Sequence, residues 1–170
     1  MKITLTAGHG GKDPGAVAFG HTERDLMTEL RDITAAKMEA RGHTVKTDGK
    51  RWQNLPLVHA LSLVPGSDWA IELHTNAAEN HGASGVEVIS LPRDKLKAQR
   101  IAQAIAKVLM LPLRGQGGWI DQTKTARGRL GFVAAGGLVV ETFFISNTHD
   151  LGRYLERKWL VASAIAEAVT

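Results

Sequence analysis

Three separated stretches of this chain read as strands that each stop on a side chain able to bind a metal. They are KITLTAGHGG at 2–11, WAIELHTNA at 69–77 and LVVETFFISN at 138–147. In an open α/β sheet, ligands bind in the crevice outside the carboxyl ends of the strands. His9, His74 and Glu141 therefore have a reason to meet although they lie far apart in sequence. The acidic turn GHTERD (20–25) adds Glu23, and together these residues form a candidate zinc site.

The segments between the strands have helical spacing. Leu26, Leu30, Ile33, Ala36/Lys37 and Ala40 mark a helix over 24–41 that Gly42 ends. His43–Thr47 alternates and is β-branched, which predicts a second strand. A short helix over 54–64 is broken by Pro65-Gly66, and strands follow at 69–74 and 85–91. Asp94 is placed to cap a helix over 95–110, with Ile101, Ile105, Val108 and Leu109 on one face. The Gly-rich stretch 112–136 suggests a strand near Gly118–Asp121 and a turn near Phe132. Leu138–Phe144 has the apolar character of a central strand buried on both faces. A last helix over 149–169 would turn Leu151, Leu155, Leu160/Val161, Ala164/Ile165 and Ala168 inward. This alternation predicts one α/β domain over 1–170, a mostly parallel twisted sheet of about six strands with helices on both faces.

Composition narrows the chemistry. The chain has 170 residues, 44% hydrophobic and 22% charged, the balance of an ordinary globular protein with room for one core. It has no cysteine, so disulfides and thiolate zinc sites are excluded and any metal must be held by His and carboxylate. A net charge of +4 favours anionic partners, but no dense basic run appears and nucleic acid is not expected. No apolar run reaches the roughly 18 residues of a membrane span, and no secretory signal is visible, so stable membrane insertion is not expected and synthesis in the cytoplasm is.

Taken singly, each candidate has a plainer reading. His9 lies in a Gly-His-Gly loop, where a histidine beside a turn is common. The loop GHGGKDPG lacks both glycine-rich phosphate-binding spacings. His74 shares a strand face with Glu72, opposite Ile71 and Leu73, and a buried imidazole and carboxylate need partners. Glu72 could orient a ligand or form a structural ion pair. Glu141 interrupts an apolar run, where a carboxylate is costly unless paired or beside a cation. Glu23 follows a potential N-cap, Thr22, and would suit the helix dipole even without a metal. His21 is near enough to Glu23 to compete with it.

These same residues make the chain resemble the zinc-dependent N-acetylmuramoyl-L-alanine amidases of the Amidase_3 type. The resemblance is carried by AGHGGKDPGA (7–16), the turn holding Glu23, ELHTNA (72–77), GVEV (85–88) and VVETFFISN (139–147). It implies one Zn2+ per chain on His9, Glu23 and His74, catalysis by Glu141, and peptidoglycan as substrate. Thr75 and Asn76, following His74, are expected substrate contacts. Glu72 and Thr75 depart from the family's usual small residues. The ELH and ETFF forms look like the phage-lysin branch, which implies host lysis without a separate cell-wall-binding domain. They also imply a monomer made in the host cytoplasm and acting in the periplasm or wall after a holin opens the inner membrane. A zinc peptidase cutting within the stem peptide, and a wall-binding module without turnover, are the alternatives.

Overall fold

The computed structural model describes residues 1–126 and 128–169. Among the described residues, eight strands and five α-helices follow one another as β1 (Lys2–Ala7), β2 (Val17–Ala18), β3 (His21–Thr22), α1 (Glu23–Glu39), β4 (Thr44–Thr47), α2 (Leu57–Leu63), β5 (Trp69–Asn76), β6 (Glu87–Ser90), α3 (Lys95–Leu109), β7 (Trp119–Asp121), α4 (Gly131–Ala134), β8 (Leu138–Phe144) and α5 (Thr148–Ala168). Six strands form one sheet in the order β4-β1-β5-β8-β6-β7, and β2 pairs with β3 as a small hairpin beside it. The four strands β4, β1, β5 and β8 are parallel, whereas β6 runs antiparallel to β8 and β7 follows β6. The reversal has a simple cause. Parallel return needs a crossover of about a dozen residues or more, and the link from Asn76 to Glu87 carries no helix.

The two faces of the sheet are covered unequally. Ile3, Leu5, Ile71, Leu73, Val88 and Val140 point to one face, into a core shared with α1, α3 and α5. Phe143 stacks on Tyr154 of α5 with ring centroids 4.4 Å apart, and the Tyr154 hydroxyl donates to the Leu26 carbonyl. On the other face Ala70, Ile89 and Val139 meet the short α2 and α4 and their flanking residues, through Ala60, Val64, Leu130, Phe132 and Val133, with Leu91 at the edge. This cover ends before the carboxyl ends of β5 and β8, and the sheet opens there as a cleft.

Several local expectations are corrected. Leu26 and Leu30 of α1 are buried as expected, but the buried stripe continues through Met27, Arg31, Thr34 and Met38, so Ala36 and Ala40 face solvent. The packing surface is centred about one residue round the helix, where Met27, Leu30 and Met38 are buried and Arg31 meets the buried Asp48 carboxylate. In α5 the inward residues are Leu151, Tyr154, Val161 and Ile165, while Leu155 and Leu160 are exposed. Asp94 makes no capping hydrogen bond and pairs with Arg93 instead. The expected turn near Phe132 is the single helical turn α4, pinned by burial of Phe132 and Val133. Among the described residues, no helix is long and apolar enough to cross a membrane.

Candidate metal centre

Strand alternation brings Glu72 and His74 of β5, Glu141 of β8 and Glu87 of β6 onto the thinly covered face. Cross-strand pairing then lines them up: His74 sits opposite Glu141, and Glu141 opposite Glu87. His9 arrives from the loop after β1, and Glu23 from the first residue of α1. Thr22 caps that helix by accepting from the Asp25 amide, which fixes where α1 starts and hence where Glu23 points.

One nitrogen of each imidazole faces Glu23. His9 Nε2 lies 3.2 Å from Glu23 Oε2, and His74 Nδ1 lies 2.9 Å from Glu23 Oε1. The Ala16 and Thr75 amides donate to the same carboxylate at 3.0 Å each. The other nitrogen of each ring is held by a further acid: His9 Nδ1 by Asp13 at 2.8 Å and His74 Nε2 by Glu72 at 3.1 Å. Carboxylates behind ligating imidazoles are the usual means of fixing ring orientation in metal sites.

Glycines make the approach possible. A Cβ on Gly15 would come within 2.6 Å of His9 Cδ2 and 2.7 Å of Glu23 Oε2, and a Cβ on Gly8 would collide with the His74 ring. His9 itself adopts φ 62°, in the left-handed region. Asn54 steadies it, donating through Nδ2 to the carbonyls of Ala7 (2.9 Å) and His9, while its Oδ1 accepts from Arg31.

The electrostatics follow from this crowding. Burial pushes the Glu23 carboxyl upward, but hydrogen bonds from His74 and His9 overcome it and hold the group well below its ordinary range. Burial likewise depresses His74, yet Glu23 and Glu72, reinforced by the charge of Glu141, raise it well above 6.5. His9 is raised chiefly by its bond to Glu23, against burial and with help from Asp13.

One donor atom from each of His9, Glu23 and His74 lies within 4.8 Å of the others. A tetrahedral zinc with Zn–N and Zn–O of about 2.0–2.1 Å holds its donors roughly 3.3 Å apart. The donor set and its spacing therefore fit one such ion. Glu141, one strand over, shares a cleft of about 1060 Å³ with the three donors, Glu87 and Arg114.

That combination meets its counterpart among known proteins. Residues 3–170 match the Amidase_3 family, described as N-acetylmuramoyl-L-alanine amidase. The chain belongs to this family. A Neisseria meningitidis structure whose name as an N-acetylmuramoyl-L-alanine amidase is provisional superposes with a TM-score of 0.91 at 44% identity, covering 99% of this chain and 93% of that one. The N-acetylmuramoyl-L-alanine amidase of Clostridium difficile 630 shares the fold at TM-score 0.84 and 18% identity, covering 99% and 94%. A further amidase, also provisionally named, from Buchnera aphidicola subsp. Baizongia pistaciae (strain Bp) is 32% identical over 105 residues. Those residues are 55% of this chain and 45% of that relative, so the match spans less than half the length of the Buchnera protein.

The sequence-derived site residues fall as follows. His9, Glu23 and His74 come together, and Glu141 stands beside His74. Thr75 is buried and offers its amide to Glu23, and Asn76 donates to Glu87 at 3.0 Å and lines the cleft. His21 lies in β3, outside the cluster. Sequence reasoning passed over Asp13, Asn54, Glu87 and Arg114. Asp13 had a signal, four residues after His9 in the same loop, and Glu87 followed from strand alternation once β6 was placed next to β8.

Proposed function

We propose that the protein is a zinc-dependent peptidoglycan amidase that cleaves the bond between the lactyl carbonyl of N-acetylmuramic acid and the L-alanine of the stem peptide. The observation that carries this reading is the convergence of His9, Glu23 and His74 from three separate segments, with Glu141 on the neighbouring strand. A zinc ion in that position supplies carbonyl polarisation and a water whose pKa can fall to about 7. Asp13 and Glu72 keep the two imidazoles oriented, and Glu23 supplies the anionic donor. Glu141 takes the proton of the attacking water and returns it to the departing amine of L-alanine. Leu55, with the exposed Pro56 and Leu57, lines the cleft and gives the glycan an apolar surface.

Replacing Glu141 by Gln tests the assignment. Zinc content is expected to stay near one per chain, while release of stem peptides from purified cell walls falls by about a hundredfold or more. An unchanged rate would overturn it. Chelation is expected to abolish release and zinc to restore it. Labelling the new amine terminus separates the bonds: L-alanine supports the amidase, and a later stem residue would instead support a peptidase.

The biological role we propose is that of a phage or prophage lysin. The ELH form at Glu72–His74 and the ETFF form at Glu141–Phe144 support it, as does the net charge of +4, which suits a carboxylate-rich wall. Made inside Gram-negative cells, the protein is expected to lyse them only when a co-expressed pore-former opens the inner membrane.

A further inference from the structure

The cleft is lined by carboxylates. Asp13, Glu23, Glu72, Glu87 and Glu141 all border it, and among the described lining residues Arg114 and Lys124 are the permanent cations. Lys124 is exposed on its own strand-to-helix connection. Arg114 is different, because it is built in. Its Nε donates to Glu87 Oε2 at 2.6 Å, and its guanidinium carbon lies 4.9 Å from the centre of the Phe144 ring. Glu87 is in turn fixed by Asn76, the residue two positions after His74. The side chain remains 42% exposed, and its two terminal NH2 groups make no hydrogen bond among the described residues. A guanidinium clamped through Nε, with its outer edge open, presents the paired donors that fit a carboxylate.

Its distance from the centre can be read from the sheet. His74, Glu141 and Glu87 are successive cross-strand neighbours, and strands lie about 4.8 Å apart, so Glu87 stands roughly 10 Å from His74. An extended peptide advances about 3.3–3.6 Å per residue. From a carbonyl held beside His74, the first free carboxylate of the stem peptide, on its second residue, lies roughly 7 Å away. With a charge-assisted contact of about 2.8 Å the span is roughly 10 Å, which matches the distance to Glu87, the residue that holds the Arg114 side chain.

We propose that Arg114, held by Glu87 and Phe144, is the specificity residue that binds the α-carboxylate of the second stem-peptide residue. Resting on the amidase reading above, this assigns the peptide to the β6 side of the metal and the glycan to the side of Leu55 and Leu57. It also predicts that substrates carrying a carboxamide at that position are cleaved poorly.

The test compares two synthetic N-acetylmuramyl tripeptides that differ only in a free α-carboxylate or an α-carboxamide on the second residue. Wild-type protein loaded with zinc is expected to favour the free acid by about 10- to 100-fold in kcat/KM. Arg114→Ala is expected to bring that ratio close to one, with Arg114→Lys in between. A partly unfolded variant lowers both rates together and leaves the ratio intact, so misfolding cannot imitate the result. Equal wild-type rates on the two substrates, or a ratio untouched in Arg114→Ala, would overturn the Arg114 assignment alone. If wild type cleaves neither tripeptide and releases no L-alanine amine terminus from whole cell walls, the amidase reading itself fails.

Discussion

His9 is the most exacting residue of the centre, because it must hold a left-handed backbone while aiming Nε2 at Glu23. Such a conformation costs a non-glycine residue of order 1 kcal/mol or more, so something must compensate. Asn54 does so by donating to the carbonyls on either side of Gly8. Replacing Asn54 by Ala removes those bonds without touching a donor of the proposed metal set. Zinc affinity is expected to fall about 10- to 100-fold, the usual effect of losing a group that orients a ligand. Competition against a chromophoric chelator measures it. An affinity equal to wild type would show that the loop holds His9 by itself. Gly15 sets a second limit at this scale: Gly15→Ala would press on both His9 and Glu23, and metal binding is expected to be lost while the far-UV circular dichroism remains native.

Between elements, the most demanding contact is the one joining α1 to the ends of β1 and β4. Arg31 is fully buried and reaches Asp48 at 2.9 Å, Asp32 at 2.7 Å and the Gln53 carbonyl at 2.8 Å. Burial pushes the Asp48 carboxyl upward, with Arg31 opposing. Arg31→Met leaves that carboxylate buried without its cation, and a loss of about 3–5 kcal/mol is expected by chemical denaturation. The double variant Arg31→Met/Asp48→Leu should recover part of it. Nothing in the sequence pattern marks this pair, since Arg31 falls at a position where a periodicity reading registers only a charge. The strands β1, β5 and β8 were legible because their apolar runs are unambiguous, whereas the β2–β3 hairpin was not, because two-residue strands carry no alternation to read. The inward faces of α1 and α5 were less so. Both helices carry apolar residues on more than half their circumference, and only contact with neighbouring helices decides between Leu155 and Tyr154. Within the site, the convergence of His9, His74 and Glu141 followed from a rule about strand ends. The Glu87–Arg114 pair did not, because it depends on β6 being antiparallel next to β8.

At the scale of the whole molecule, the thin cover on one sheet face leaves five acids and two imidazoles around a single cleft, and proton balance there couples to folding. Without metal, the Glu23 carboxyl sits below its ordinary value of 4.5, so its contribution is complete above that pH and is lost as pH falls through the lowered value. The His9 and His74 values sit above 6.5, so their contribution is complete below 6.5 and is lost as pH rises through the raised values. The metal-free protein is therefore expected to be most stable between about pH 5 and 6.5 and to weaken as pH rises through the raised imidazole values. Zinc reverses the upper limb, because it binds neutral imidazoles and displaces their protons, so its affinity rises over the same interval. With free zinc at about 100 times its Kd the gain is about 2.7 kcal/mol, or roughly 5–10 °C in Tm for a chain of this size. Thermal melts in chelator and in zinc across pH 5–9 should show the two curves diverging as pH rises. Parallel curves, or a metal-free Tm that climbs through this range, would mean that the imidazoles are not protonated partners of Glu23, and the case for these three side chains as one metal-binding unit would fail with them.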